Sequence, residues 1–427
     1  MTQKSQPITA IRGMKDVLPD EIYYWHFFED AFKSVLTGYG CQEIRLPILE
    51  KTSLFARSIG EVTDIVEKEM YTFLDRNQES LTLRPESTAQ CVRAVLEHGL
   101  IHNQAQKLWY YGPMFRYERP QKGRYRQFYQ AGLECFGIAG PEIEAEQLLL
   151  MARLFKKLGL EQNVALQLNT LGSNAARQEY QKALVEYFSD KIEALDEESK
   201  QRLTKNPLRI LDSKNPHMQT LINNAPSILN YLTAESLTHF EQLQKILTTA
   251  NLKFTIEPRL VRGLDYYTET VYEWVTQDLG AQGAVCAGGR YDLLVEQLGG
   301  KSTPAVGFAI GIERIVALLA QKQEQITLPS LADIYCVFLN SEAVIQGMPL
   351  LEEVRNHIEN IKLVADLAGG SVKTQFKRAD KSGAKLALVL GEDELKNQTI
   401  TIKYLREDKP QVSIEQKSLT AFLLGHL

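Results

Sequence analysis

The sequence feature that most restricts the fold is a pair of strand-like runs, Lys107–Glu118 and Gln127–Gly137, on either side of the turn RPQKGRYR. The turn contains Pro120 and Gly123, two residue types that reverse the chain direction. Two such runs joined by a short turn predict an antiparallel β-hairpin.

Alternation of side chains along the two strands separates a polar face from an apolar one. The polar face carries Met114, Arg116, Glu118, Phe128, Gln130, Gly132, Glu134 and Phe136. The opposite face of the return strand carries Tyr129, Ala131, Leu133 and Cys135 and is expected to pack inward. Charged groups on one face of a rigid sheet are costly unless they have partners. Such a face is typical of a site for a polar ligand, although a solvated outer face is the simpler alternative.

Basic residues are concentrated in and around the turn of this hairpin. They are Arg116, Arg119, Lys122, Arg124 and Arg126, which with Glu118 give a local charge of +4 in a chain of net charge −5. Guanidinium groups at this density suit phosphate oxygens. Gly300-Lys301-Ser302 resembles the end of a phosphate-binding loop, but Val295 stands where that motif needs its first glycine. We therefore expect arginines on strands to bind the phosphates.

Along the chain, the residue pattern predicts two separate parts. Helix is predicted at 20–40, and strands at Glu43–Leu49, Ser80–Arg84, the hairpin, Phe254–Val261 and Tyr272–Val275. A β-α-β-α-β alternation follows a polar linker near 321–330. We predict a core in two parts, 1–171 and 254–325, a charge-rich helical insertion at 172–253, and a small α/β domain at 331–427.

Composition excludes several classes of protein. With 44% hydrophobic and 24% charged residues and no apolar run of about 18, the chain is typical of a globular protein that does not cross a membrane. Its beginning lacks the apolar region of a secretory signal. The five cysteines are scattered without a C-x-x-C pair, which favours reduced thiols, a cytoplasmic location and no zinc site.

Several peptides of the chain resemble the signature motifs of class II aminoacyl-tRNA synthetases, and two resemble those of histidyl-tRNA synthetases in particular. Phe115-Arg116-Tyr117-Glu118 with the basic loop and Phe128 resembles motif 2, Gly307–Arg314 resembles motif 3, and Tyr39–Glu50 resembles the dimer-forming motif 1. The peptides L-V-R-G-L-D-Y-Y (260–267) and A-G-G-R-Y-D (287–292) resemble the two histidine-specific motifs, and T-L-R-P-E-S-T (82–88) resembles the substrate loop. The resemblance is collinear from about Ile11 to Leu390.

This resemblance implies a fold and a set of site residues. The fold would be α+β: an antiparallel sheet flanked by helices, with a helical insertion and a C-terminal α/β anticodon-binding domain. The implied ATP ligands are Arg116, Glu118, Arg124, Phe128 and Arg314, and the implied histidine ligands are Glu86, Thr88, Gln130, Glu134, Arg262, Tyr266 and Tyr267. Arg116 and Arg262 would act as the catalytic residues, on opposite sides of the α-phosphate.

The chemistry that the resemblance implies fits these residue types. Attack of the histidine carboxylate on the α-phosphorus needs positioning and charge neutralisation but no protein nucleophile, and two arginines supply both. A carboxylate and a phenol, Glu134 and Tyr267, are suited to the two imidazole nitrogens. In the C-terminal domain, Lys373, Lys377, Lys381 and Lys385 recur every four residues, with Arg378 beside them. Such a stripe is usually a solvated helix face, but on a synthetase-like core Lys373, Lys377, Arg378 and Lys381 are candidates for tRNA contacts.

The implied partners are tRNA(His), L-histidine, ATP with Mg²⁺ and a second copy of the chain, without a tightly bound metal or organic cofactor. Two alternatives stay open. A non-catalytic histidine-binding regulatory paralogue of ATP phosphoribosyltransferase shares this core, but such paralogues typically lack the anticodon domain and the ATP-contacting arginines. A stand-alone RNA-binding protein would explain the basic helix but not Gln130, Glu134 and Tyr267.

Overall fold

The computed structural model describes residues 7–59, 65–121, 123–213, 215–264, 266–280, 283–322 and 330–426. The chain forms two compact units, Met1–Gln325 and Ile326–Leu427. Most of the predicted linker, residues 323–329, lies outside the described residues, as does Lys122 of the basic turn.

The first unit is built around a large, mainly antiparallel sheet. The strands of this unit, in both of its sheets, are β1 (Gln42–Glu43), β2 (Leu49–Lys51), β3 (Tyr71–Leu74), β4 (Ser80–Leu83), β5 (Gln106–Phe115), β6 (Gln127–Phe136), β7 (Ala165–Thr170), β8 (Thr255–Ile256), β9 (Thr268–Val275), β10 (Ala284–Arg290) and β11 (Ala305–Gly311). The order in the large sheet is β1-β5-β6-β11-β10-β9-β7-β8, and β2-β4-β3 form a separate small sheet. Only the two edge pairs of the large sheet, β1 with β5 and β7 with β8, are parallel within the described residues.

The helices of this unit flank the large sheet or form the insertion. They are α1 (Ile22–Gly38), α2 (Thr52–Ile59), α3 (Thr88–Glu97), α4 (Glu142–Lys157), α5 (Asn174–Ser189), α6 (Glu197–Lys205), α7 (Gln219–Asn223), α8 (Ala234–Thr249), α9 (Leu294–Gln297) and α10 (Ile312–Gln321). One π-helical turn covers Ile65–Glu69, and short 3-10 turns in the insertion include Pro207–Ile210. The α+β architecture that the sequence predicts is confirmed.

The predicted hairpin is β5 and β6, which pair along their whole length from Gln106↔Phe136 to Phe115↔Gln127. The predicted apolar face of β6 packs inward, with Ala131, Leu133 and Cys135 buried. Tyr129, at the turn end of that face, packs edge-on against Trp25 of α1 with ring centroids 5.1 Å apart. The polar face of the hairpin therefore lies on the opposite side of the sheet.

The prediction of one strand at Glu43–Leu49 is wrong. Strand structure is confined to the ends, β1 and β2, which belong to different sheets. Between them the backbone carbonyls accept side-chain hydrogen bonds, Leu46 from Arg84 Nη1 at 3.1 Å and Pro47 from Gln90 Nε2 at 2.7 Å. Pro47 has no N–H to donate to a neighbouring strand. Similarly, the strand predicted at Phe254–Val261 shrinks to β8, which ends two residues before Pro258.

The stretch predicted as a helical insertion, 172–253, consists of helices and 3-10 turns and has its own apolar cluster. Along α5 the buried residues Ala176, Tyr180, Leu184 and Phe188 recur every four positions, so they form one stripe on the helix. Tyr180, Leu184 and Phe188 of that stripe pack against apolar residues of α6, α7 and the 3-10 turns. Side-chain caps set the helix starts: Ser173 accepts the N–H of Ala176 at 3.3 Å before α5.

The second unit is an α/β sandwich. Its elements are β12 (Ile334–Phe338), α11 (Ser341–His357), β13 (Leu363–Ala365), α12 (Val372–Lys381), β14 (Leu386–Leu390), α13 (Glu392–Asn397), β15 (Thr399–Tyr404), β16 (Val412–Glu415) and α14 (Leu419–Leu424). The strand order is β13-β12-β14-β15-β16, with the first three strands parallel and the last two antiparallel. The predicted β-α-β-α-β alternation is therefore the parallel half of this sheet. Across the described parts of both units, the helices are too short or too polar to traverse a bilayer.

Candidate active site

A cleft of about 400 Å³ lies over the polar face of the hairpin. Its walls come from β6, the loop before α3, the peptide between β8 and β9, and the adjoining strands β10 and β11. All twelve residues predicted to bind ATP or histidine line this one cleft: Glu86, Thr88, Arg116, Glu118, Arg124, Phe128, Gln130, Glu134, Arg262, Tyr266, Tyr267 and Arg314. Their individual roles toward a ligand stay predictions.

The Glu134 carboxylate lies at the buried end of the cleft and is held by three hydroxyl groups. Its Oε1 accepts hydrogen bonds from Thr88 Oγ1 at 2.7 Å and from the Tyr110 hydroxyl at 3.1 Å. Its Oε2 accepts a bond from the Tyr291 hydroxyl. Burial raises the pKa of Glu134 from 4.5 to about 8, although the hydroxyl donors oppose that rise.

Two of these three hydroxyl donors, Tyr110 and Tyr291, are not among the predicted site residues. The register of the hairpin explains how Tyr110 reaches the site, since it pairs with Gly132 and any Cβ at Gly132 would collide with the Tyr110 ring. Gly307 in the adjacent strand β11 likewise leaves space for a site residue, because a Cβ there would collide with the Glu134 carboxylate. The A-G-G-R-Y-D peptide was the available signal for Tyr291.

Polar groups that suit an amino group lie beside this carboxylate. Glu86 accepts the backbone N–H groups of Thr88 at 2.5 Å and Ala89 at 3.0 Å, so its carboxylate sits at the N-terminus of α3. Burial nevertheless raises the pKa of Glu86. The Gln130 Oε1 atom is buried and has no hydrogen-bond partner among the described residues. An acceptor of this kind in a cleft wall is available to a donor on a ligand.

The two predicted catalytic arginines approach the middle of the cleft from different parts of the chain. Arg116 donates from Nε to the Pro85 carbonyl at 2.9 Å and lies over the Phe128 ring, 5.2 Å from its centroid. Arg262 forms an ion pair with Glu273 and lies 5.5 Å from the Tyr267 ring centroid. Burial lowers the pKa of Arg116, and the Arg262 charge adds to that lowering. Glu273 is a further site residue that the sequence did not reveal.

At the outer end of the cleft, the cations are shared between acidic groups and backbone carbonyls. Arg124 forms an ion pair with Glu118, and its Nη2 lies 4.0 Å from Glu69. Arg314 donates from Nε to the Gly123 carbonyl at 3.2 Å, and the motif 3-like Glu313 accepts the Tyr129 N–H at 2.8 Å. Burial raises the pKa of Glu313 to about 7. Glu118 and Arg124, predicted to bind different parts of ATP, thus contact each other.

The predicted tRNA-contact residues lie on α12 of the second unit. Lys373, Lys377 and Lys381 are exposed along this helix. Arg378 is not part of that exposed stripe: it donates from Nε and Nη2 to the two carboxylate oxygens of buried Asp366, both at 2.8 Å. Its side chain thus ties α12 to the end of β13.

The described residues contain no cluster of three or more His, Cys, Asp or Glu side chains that could hold a metal ion. The absence of a tightly bound metal or organic cofactor stays a prediction.

Comparison with known proteins supplies the family. A sequence model described as histidyl-tRNA synthetase matches residues 13–315, and one described as an anticodon binding domain matches residues 337–426. Among solved structures, apo histidyl-tRNA synthetase of Staphylococcus aureus is 36% identical, with a TM-score of 0.80 over 97% of this chain and 99% of that one. Histidyl-tRNA synthetase of Nostoc sp. PCC 7120 is 19% identical, with a TM-score of 0.70 over 98% of this chain and 99% of that one.

A third match concerns the regulatory alternative. A Bacillus halodurans protein described as an ATP phosphoribosyltransferase regulatory subunit/histidyl-tRNA synthetase is 22% identical, with a TM-score of 0.64 over 88% of this chain and 97% of that one. At this identity the likeness extends to the fold alone. The two family models and the 36% identical synthetase structure together do not favour the regulatory alternative.

Proposed function

Because the chain belongs to the histidyl-tRNA synthetase family, we propose that it ligates L-histidine to tRNA(His) in two steps. The first step is formation of histidyl-adenylate from histidine and MgATP with release of pyrophosphate. The second is transfer of histidine to the 3′-terminal adenosine. The observation that carries the proposal is the convergence of Arg116, Arg262 and Glu134 on one cleft.

In the first step, Arg116 and Arg262 would bind the α-phosphate from two sides. Both are fixed before a substrate arrives, Arg116 by the Pro85 carbonyl and Arg262 by Glu273. Fixed cations stabilise the charge that develops in the transition state without a cost of reorganisation. Phe128, already stacked against Arg116, offers its ring to adenine, while Arg124 and Arg314 would bind the β- and γ-phosphates.

Selection of histidine would rest on the inner end of the cleft. Glu134 and Tyr267 would contact the two imidazole nitrogens, and Glu86, Thr88 and Gln130 the α-amino group. A carboxylate that already accepts three hydroxyl donors is held in one orientation. A site built to hydrogen-bond its substrate rejects analogues that lack those groups by about 10⁴ or more.

The quaternary and cellular context belongs to the same proposal. Four exposed apolar residues lie in or beside the two outer strands of the small sheet, Ile48 and Leu49 within the motif 1-like segment and Phe73 and Leu74 on β3. Exposed apolar groups of this kind are typical of interaction surfaces, and we assign this one to a homodimer. The exposed lysines of α12 would contact tRNA, and the enzyme would act in the cytoplasm.

The test is amino-acid-dependent ATP–pyrophosphate exchange without tRNA, run with each of the twenty amino acids. Exchange with histidine alone would establish both the adenylation chemistry and the selection of imidazole. Histidine binding without any exchange would instead favour the regulatory paralogue and contradict the roles of Arg116 and Arg262. Light scattering of the purified protein distinguishes a dimer from a monomer.

A further inference from the structure

The peptide between β8 and β9 carries three of the proposed site residues, Arg262, Tyr266 and Tyr267, yet its described residues form neither helix nor strand. Regular secondary structure therefore does not hold that part of the backbone in place. Its carbonyl groups must find other partners, because buried backbone acceptors are almost always hydrogen-bonded. The identity of those partners shows what holds the site residues in position.

The carbonyls of this peptide are held by side chains from two different sources. At its beginning, Asn169 of β7 donates from Nδ2 to the carbonyls of Pro258 at 3.2 Å and Leu260 at 2.9 Å. Further along, both donors come from the helical insertion. Arg209 donates from Nη2 to the Gly263 carbonyl at 3.3 Å, and Arg177 of α5 donates from Nη1 to the Tyr267 carbonyl at 2.6 Å.

Apolar packing also connects this peptide to the helical insertion. The Val261 side chain packs against the apolar cluster of the insertion, next to the residue that carries the Arg262 guanidinium. Arg209 itself lines the cleft beside Gly263. Thus Arg262 lies between one residue packed on the insertion and another whose carbonyl the insertion binds.

We propose that Arg177 and Arg209 are positioning residues through which the helical insertion sets the geometry of the reaction centre. Arg209 holds the Gly263 carbonyl next to Arg262, and Arg177 holds the backbone of Tyr267, one of the proposed histidine ligands. Hydrogen bonds from a guanidinium are about twice as strong as neutral ones, so two of them can hold a peptide without regular structure. This inference rests on the proposed function for the roles of Arg262 and Tyr267.

The two arginines act on different parts of the site, so their loss should have different kinetic signatures. In ATP–pyrophosphate exchange, Arg177→Met should raise the KM for histidine roughly tenfold, with kcat and the KM for ATP nearly unchanged. Arg209→Met should lower kcat roughly tenfold, with the KM for histidine nearly unchanged. Methionine keeps an unbranched apolar side chain while it removes the donors.

Rescue variants, a matched control and two further measurements separate positioning from a general loss of structure. Arg177→Lys and Arg209→Lys, which keep a cationic donor, should recover much of the lost function. Lys182→Met is the matched control on α5, because Lys182 is exposed and pairs only with Glu179 among the described residues. Active-site titration by the adenylate burst counts the competent molecules, and calorimetry measures histidine affinity without catalysis.

The outcomes distinguish this inference from the function on which it rests. If the wild-type enzyme exchanges with histidine but Arg177→Met behaves like Lys182→Met, the inference is overturned and the function stands. A fall in the active fraction with unchanged KM and kcat per competent molecule also overturns it, because the arginines would then be merely structural. A wild-type chain that neither exchanges nor binds histidine overturns both.

Discussion

The inner and outer ends of the cleft hold their charges differently. At the inner end, the Glu134 carboxylate is 1% exposed and receives three hydroxyl donors from different parts of the chain. At the outer end, the Arg124 side chain is 42% exposed and pairs with Glu118 near the turn of the hairpin. The Glu134 carboxyl group is enclosed by a fixed set of partners, whereas the Arg124 guanidinium remains partly exposed in the cleft, although its partner Glu118 is buried.

This difference matches the two tasks of the proposed reaction. Selection of one amino acid needs an acceptor whose position does not adapt to other substrates, and burial enforces that at a cost in stability. Binding and release of a polyphosphate need cations that can leave one anion for another. The same contrast recurs in the second unit, where Arg378 is paired with Asp366 while Lys377 beside it is exposed.

The largest effect is expected from loss of a fixed cation between the two ends. Arg116→Ala should lower kcat for ATP–pyrophosphate exchange by roughly 10²–10³, because one of two preorganised charges on the α-phosphate is removed. Arg119→Ala is the matched control, since Arg119 lies on the same hairpin turn and does not line the cleft. Equal losses in both variants would mean that the density of charge, rather than its placement, matters.

A smaller effect, confined to one substrate, is expected at the inner end. Glu134→Gln and Tyr267→Phe should lower kcat/KM for histidine by roughly 10- to 100-fold, the value of a hydrogen bond to a charged group. The KM for ATP should change little in steady-state exchange. Comparable losses for ATP would contradict the division of the cleft into two ends.

Burial of the Glu134 carboxyl group should make the stability of the folded protein depend on pH. The pKa of this group is raised from 4.5 to about 8, so the folded protein holds this proton more tightly than the unfolded chain does. Its contribution to stability therefore falls as the pH rises from about 4.5 to about 8. The melting temperature of Glu134→Gln relative to wild type should rise by several degrees between pH 5 and pH 8. A constant difference across that range would show that Glu134 is ionised throughout.

The smallest effect is expected from the exposed cations of the second unit. Lys377→Glu should raise the KM for tRNA in aminoacylation by about 3- to 10-fold, and more strongly at low salt, without changing pyrophosphate exchange. Arg378→Glu should instead lower the melting temperature, because it leaves Asp366 buried opposite a like charge. If both variants affect only tRNA charging, Arg378 contacts tRNA as the lysines do and is not needed for stability.

Much of the fold and the polar face of the hairpin could be predicted from local sequence patterns, whereas the cleft residues outside the hairpin were predicted from the resemblance to class II synthetases. The hairpin, its two faces and the β-α-β-α-β pattern follow from alternation and turn residues, which are properties of neighbouring positions. The strand predicted at Glu43–Leu49 was wrong because the side chains of Arg84 and Gln90, distant in the chain, take the carbonyls that a strand would use. Tyr110 and Glu273 were missed because their site contacts depend on strand register and on the pairing of distant strands.

The arginines of the two histidine-type peptides show which features of the site the sequence determined and which depended on the tertiary structure. The sequence by itself determined that Arg262 and Arg290 lie in short, glycine-containing peptides of the core, beside tyrosines that suit a polar site. Only the tertiary structure decided that Arg262 lines the cleft while Arg290, 1% exposed, donates from Nε and Nη2 to the Glu144 carboxylate. Glu144 lies 146 positions earlier in the chain, and no local pattern records which distant carboxylate a guanidinium will meet. Local preferences shape strands and turns, whereas the partner of a buried charge is set when the elements pack together.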